Sequence, residues 1–158
     1  MENLHFFSHE SRVSLELPIG WEELSEENHQ VVYCYEDFEE DNSEKSWIND
    51  PRLMIKLFPS PTTNIDNLEQ AAASSFKVEH EQLEKLKHTE LKVDGYPGIL
   101  DIFSYKDSES GKPLTQFQVF ILIDNVIFSF TGLMLKKFQE ELIPTFNDAI
   151  KSVRFIFE

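Results

Sequence analysis

Five histidines, one cysteine and 29 Asp and Glu side chains are the groups of this 158-residue sequence best able to do chemistry. Their spacing decides which of them could act together. A metal centre needs ligands that cluster. His80 and His88 share a stretch of helical pattern but do not stack as an i,i+4 pair would, and His5 and His9 flank a terminal strand. Neither pair predicts a metal site. Cys34 lies in the apolar run Val31–Tyr35, beside an acidic stretch. A reactive thiolate needs a base and an electropositive setting, so Cys34 reads as a small core residue. Among the five glycines there is no GxGxxG or GxxxxGK[ST] phosphate loop and no GxSxG elbow. Ser110-Gly111 sits in a hairpin tip among acids.

Carboxylates are abundant, and abundance weakens their signal. An acid/base pair needs burial or a close partner to separate two pKa values. Glu36, Asp37, Glu39, Glu40 and Asp41 belong to the run EDFEEDNSE, which reads as a solvated loop. Asp101 differs, because Leu100 and Ile102 flank it within a strand. The expected partner for such a carboxylate is a Lys or Arg across the sheet. An alternative keeps an enzyme or small-ligand protein in view, with a pocket near Trp21 and Asp101; Trp21 and Trp47 are its candidate stacking residues. No catalytic residue and no cofactor follow from these patterns.

The elements that would position these residues are legible in the periodicity. Arg12–Leu17 alternates apolar and polar residues, as a half-buried strand does. Leu17-Pro18-Ile19-Gly20-Trp21 ends it in a turn. Val31–Tyr35 and Arg52–Phe58 are further strands. Ile65, Leu68, Ala72, Phe76, Leu83 and Leu86 recur at helical spacing and predict an amphipathic helix to about Leu86. Glu90–Val93, Ile99–Tyr105, Thr115–Ile123 and Val126–Leu133 follow as a run of strands. A C-terminal helix carries Phe138, Leu142, Phe146, Ile150 and Val153, with Pro144 inside it, and Ser152–Phe157 offers a last short strand. Hairpins this short demand antiparallel pairing. The expected fold class is α+β, an α/β/α sandwich. Its central antiparallel sheet has six to seven strands covered by two main helices, in one domain over residues 1–158.

A two-residue turn at Asp124-Asn125 fixes a register. Ile123 then faces Val126, Ile121 faces Phe128, Val119 faces Phe130 and Phe117 faces Gly132, an apolar face suited to helices. The other face pairs Leu122 with Ile127, Phe120 with Ser129, Gln118 with Thr131 and Gln116 with Leu133. This mixed face could grip an apolar segment while hydrogen-bonding its polar points. Gln116, Gln118, Phe120, Ser129 and Thr131 are therefore the candidate partner-binding residues. An ordinary solvent-facing side of an antiparallel sheet is the plainer reading.

Bulk composition narrows the partners. With 14 Lys and Arg against 29 acids the net charge is −15. That sign disfavours nucleic acid and direct membrane association, and it is compatible with a basic or apolar protein. The apolar stretch Val119–Leu135 imitates a membrane span, but Asp124-Asn125 at its centre makes a hairpin the better reading. One cysteine makes no internal disulfide, and the N-terminal MENLHFFSHE does not read as a signal peptide. A cytoplasmic location is expected. Self-association, in its simplest form a homodimer, stays open.

Taken together the motifs resemble the PsbP-like superfamily. The carrying residues are Leu17-Pro18-Ile19-Gly20-Trp21, the amphipathic helix, Gly95-Tyr96-Pro97-Gly98, Gln116-Phe117-Gln118-Val119-Phe120, and the close Phe146, Ile150 and Ser152-Val153-Arg154-Phe155. The resemblance covers nearly the whole chain and implies a non-catalytic binding or assembly protein. Within the superfamily the chain looks like the Eag-type chaperones of type VI secretion effectors, which hold effector transmembrane helices on an open sheet. Gln118 would then satisfy polar points of a bound helix.

Overall fold

Short turns set the architecture. Asn28-His29, Asp94-Gly95 and Asp124-Asn125 each place two consecutive residues at positive φ. This is the backbone of a two-residue type I′ turn, whose twist matches that of the flanking strands. The computed structural model describes residues 3–35, 50–59, 84–107 and 110–156. The strands are β1 (Asn3–Ser8), β2 (Val13–Pro18), β3 (Glu22–Glu27), β4 (Gln30–Cys34), β5 (Arg52–Pro59), β6 (Glu84–Val93), β7 (Tyr96–Lys106), β8 (Pro113–Ile123), β9 (Val126–Leu135) and β10 (Arg154–Phe155). A 3-10 turn (Lys136–Phe138) leads into the helix α1 (Gln139–Ser152).

Seven strands form one sheet in the order β3-β4-β5-β9-β8-β7-β6, and three form another in the order β1-β2-β10. All pairings are antiparallel. Strands β6 to β9 make a meander, and β9 joins it to β5 on its other side. The β8–β9 register matches the one deduced from the Asp124-Asn125 turn, from Ile123 opposite Val126 to Phe117 opposite Gly132.

One face of the large sheet carries Phe117, Val119, Ile121, Phe128, Phe130, Leu53 and Ile55. It packs against Val13, Leu15 and Leu17 of β2 and Leu142, Phe146, Ala149 and Ile150 of α1. Each such side chain, fully buried, stabilises the fold by roughly 1.5–3 kcal/mol if a Leu, Ile, Val or Phe. Glu140 and Glu141 in the first turn of α1 and Lys151 in its last oppose the helix dipole favourably. Pro144 lies in the exposed second turn of α1. There the carbonyl it leaves unbonded can be solvated. Where β9 passes under α1, Gly132 leaves room for the Phe146 ring: a Cβ there would meet it at 3.0–3.1 Å. Gly20 (φ +109°) closes the Leu17–Trp21 turn under the Tyr35 ring, which a Cβ would meet at 2.3 Å.

The expected two-helix α/β/α sandwich is not what the structure shows. Most described residues are strand, α1 is the one α-helix among them, and a three-stranded sheet shares with α1 the task of covering the core face. The end of the predicted first helix, including Lys85 and Leu86, belongs instead to β6. There the Asp94-Gly95 turn and nine residues paired with β7 override the helical spacing, and Leu86 is 39% exposed. The rest of that predicted helix, over 65–83, lies outside the described residues. So do Trp47, His80 and the whole acid run Glu36–Glu44. One strand went unanticipated, β3, whose sequence EELSEE has no apolar alternation; the terminal strand expected between His5 and His9 is β1, with His5 inside it.

Candidate partner-binding face

Strand alternation places Gln116, Gln118 and Phe120 of β8 on the face of the large sheet away from α1, with Ser129 and Thr131 beside them on β9. The structure thus brings all five predicted residues together, and it ties four of them by hydrogen bonds. Gln118 is the hub. Its Oε1 accepts from the Thr131 hydroxyl at 2.8 Å and from Gln116 Nε2 at 3.0 Å, and its Nε2 donates to the Ser129 hydroxyl at 2.9 Å. Tyr105 extends the chain by donating to Gln116 Oε1 at 3.1 Å. Burial and the nearby Asp107 carboxylate push the Tyr105 hydroxyl up to about 12. It therefore stays a proton donor across the physiological range.

Exposure divides the five. Gln118 and Ser129 are buried, at 3% and 8% exposed, whereas Gln116, Phe120 and Thr131 are half-buried. The accessible part of the face is therefore a strip of Gln116, Phe120 and Thr131 with half-buried Met54, Leu122 and Leu133 around it. Arg52 and Lys56 of β5 stand opposite Leu133 and Ser129 on this same face. Beyond Tyr105, an open groove of about 380 Å³ runs between Glu84, Lys106, Pro113 and Lys136.

Asp101 lies opposite Gln118 in the next strand, 6% exposed. It is held by cross-strand partners on β6: His88 Nδ1 contacts its Oδ1, and Lys85 Nζ lies 3.7 Å from the same atom. Trp21 belongs to the other side of the sheet, packed edge-on against Phe146 at 5.8 Å and Tyr35 at 6.1 Å. Among the described residues Trp21 and Asp101 share no pocket: Trp21 packs into the core, whereas Asp101 stands beside Gln118 on the opposite face of the sheet. Cys34 is buried and forms no disulfide. Ser110 closes the β7–β8 loop, its N–H bonded to Asp107 and its hydroxyl accepting from Lys112 N–H. Among the described residues no three His, Cys, Asp or Glu side chains could hold a metal ion, and no described helix is long and apolar enough to cross a membrane.

Two features of this face were missed from sequence. Tyr105 was placed in a strand without a role, yet the Tyr105–Leu114 pairing that follows from the β7–β8 register sets it beside Gln116. The burial of Gln118 was also missed, since a glutamine between two apolar residues gives no sign of it.

No family model matches the chain, and no curated protein matches it in sequence. Solved structures do resemble it. LpqN, involved in cell envelope biogenesis of Mycobacterium tuberculosis, superposes with a TM-score of 0.73 at 14% identity, covering 99% of this chain and 91% of its own. The Saccharomyces cerevisiae Ran-binding protein Mog1p gives 0.69 at 8% identity, covering 99% of this chain and 96% of its own. The cyanobacterial PsbP of Synechocystis gives 0.63 at 10% identity, covering 97% and 92%. The likeness is one of fold: this chain shares the fold of PsbP, Mog1p and LpqN.

Proposed function

We propose that the protein is a non-catalytic binding module whose β8–β9 face takes an apolar segment of another protein. In its finest form this is a cytoplasmic chaperone or adaptor that holds an apolar helix of a secreted effector, as the resemblance to Eag-type chaperones implies. The observation that carries it is the pre-organised polar line Tyr105–Gln116–Gln118–Thr131, set beside half-buried Phe120, Leu122, Met54 and Leu133. Such a surface offers apolar contact together with hydrogen-bonding groups already fixed in place, which lowers the entropy lost on binding. Binding proteins occur on this fold, Mog1p being described as Ran-binding. Asp101, the buried carboxylate best placed for acid/base work, is paired to His88 and Lys85.

The test is direct. A labelled Leu- and Ala-rich helical peptide carrying one serine is titrated into the protein and followed by fluorescence anisotropy. Saturable binding is expected, reduced by about tenfold or more in Phe120→Asp, where a charge is desolvated against the peptide. An unchanged urea midpoint shows that the variant still folds. Equal binding by the folded Phe120→Asp variant, or no binding by the parent protein, would sink this reading.

A further inference from the structure

The acidic strand β3 forms one edge of the large sheet, and its register with β4 slips between Glu23 and Ser25. Glu23 stands opposite Tyr33, and Glu26 opposite Val31. Both partners belong to the core face. Residues three apart in a regular strand point to opposite faces. The bulge at Leu24 therefore turns Glu23 and Glu26 to one side, the re-aiming that bulges perform near binding sites. Glu22 and Glu27, opposite Cys34 and Gln30, point to the other side.

Tyr33, opposite Glu23, is itself part of the core. Its side chain is fully buried, with the ring 4.9 Å from that of Phe6. Neither its hydroxyl nor the shielded Oε2 of Glu26 has a hydrogen-bond partner among the described residues. Burial, and after it the charges of Glu23 and Glu26, hold the Tyr33 hydroxyl above the ordinary phenol range. Glu23 is the cross-strand partner of this tyrosine, and Glu26 pairs with Val31, two residues before it on the same side of β4. Leaving a buried polar atom without a partner costs about 1–3 kcal/mol, and two such oxygens in one cluster call for donors from outside. None of the four glutamates of β3 makes an ion pair with a described residue. A planar cation with several N–H groups fits two carboxylates and a phenol oxygen, and arginine supplies five in a fixed fork.

We propose that Glu23 and Glu26, held on one side of β3 by the bulge at Leu24 and backed by Tyr33, form a seat for an arginine side chain. The arginine belongs to an extended basic segment of a partner protein, lying along β3, which pairs on one side only among the described residues. The proposal rests on the reading of the protein as a binding module, but it uses an edge strand and the other face of the sheet. Exposed Glu23 meets the guanidinium first. Half-buried Glu26 then takes an N–H on an oxygen shielded from water, where a charge-assisted bond is strongest.

Any cationic peptide is drawn to a protein of charge −15, so the test compares variants of equal charge. A labelled peptide of alternating Arg and Thr is titrated into the full chain at physiological salt and followed by anisotropy. The double variant Glu23→Gln/Glu26→Gln is expected to weaken binding by about tenfold or more. Glu22→Gln/Glu27→Gln, with the same charge on the same strand, is expected to change it by no more than about twofold, a rim effect. Tyr33→Phe keeps the core filled and is expected to weaken the peptide several-fold without lowering the urea midpoint. Equal losses in the two double variants, or none in either, overturn the proposal. So does displacement of the peptide by magnesium at constant ionic strength, which would make the cluster a metal site. Phe120→Asp should leave this peptide's affinity unchanged, so loss of the apolar peptide alone counts only against the β8–β9 face.

Discussion

Gln118 Nε2 donates a hydrogen bond to Ser129 Oγ at 2.9 Å, between side chains that are 3% and 8% exposed. With its Oε1 bonded twice more, Gln118 is a support of the mixed face, and its neighbours Gln116, Phe120 and Thr131 are the groups a partner would touch. Replacing Gln118 by Ala strips the buried Ser129 hydroxyl of its partner and opens a cavity. We expect a loss of about 2–3 kcal/mol in unfolding free energy. Gln116→Ala, at a half-buried position whose partners water can reach, should lose less than about 1 kcal/mol. Urea denaturation of both variants checks the order.

Gly132 is a packing requirement of a different kind. A methyl group there presses on the fully buried Phe146 ring at 3.0–3.1 Å. Gly132→Ala should destabilise by about 1–3 kcal/mol, an overpacking effect. Phe146→Leu in the same background should recover part of the loss, giving a non-additive double-mutant cycle. Additive thermal or urea data would show that the two sites do not touch.

Alkaline pH should unfold the protein through two tyrosines. Burial raises the Tyr105 hydroxyl to about 12 and lifts Tyr33 further, each aided by neighbouring carboxylates. The unfolded chain loses these protons near the ordinary phenol value of about 10, before the folded chain does. The stability they confer is intact below about pH 10 and falls as pH rises from there towards and beyond 12. Tyr33→Phe/Tyr105→Phe should flatten that decline in urea midpoints measured between pH 9 and 11.5.

Asp101→Asn keeps the shape of the side chain and removes the charge shared by His88 and Lys85. Those partners have side chains 32% and 49% exposed, so water can solvate them once the carboxylate is gone. A loss of about 1 kcal/mol is expected, shrinking at high salt. Binding of the apolar peptide at Phe120 should not change.

Much of the large sheet was legible because its signals agree. In β8 and β9 the alternation, the Asp124-Asn125 turn and the Phe117–Gly132 match all select one register, and the candidate face followed from it. The helix expected up to Leu86 went wrong at its end because spacing alone does not reveal pairing; β7 supplied nine partners along Glu84–Val93. Strand β3 was invisible for the opposite reason. An edge strand with one glutamate after another buries little and shows no period. The burial of Gln118 and the convergence of Glu23, Glu26 and Tyr33 depend on neighbouring strands and on a bulge, which no local pattern records.

The position of β9 has a consequence for how the chain reaches this structure. On one side it pairs with β8, its neighbour in sequence; on the other it pairs with β5, which lies before the whole meander. Local hairpins close fast, while a pairing such as Ile55 with Phe130 must first close a long loop. The four-stranded meander therefore assembles ahead of β5. Until β5 docks, the strand VIFSFTGLML presents its backbone and its phenylalanines along an unprotected edge. That interval is when two nascent chains can mispair, and strand β5, with Arg52 and Lys56 on it, ends the hazard by occupying the edge.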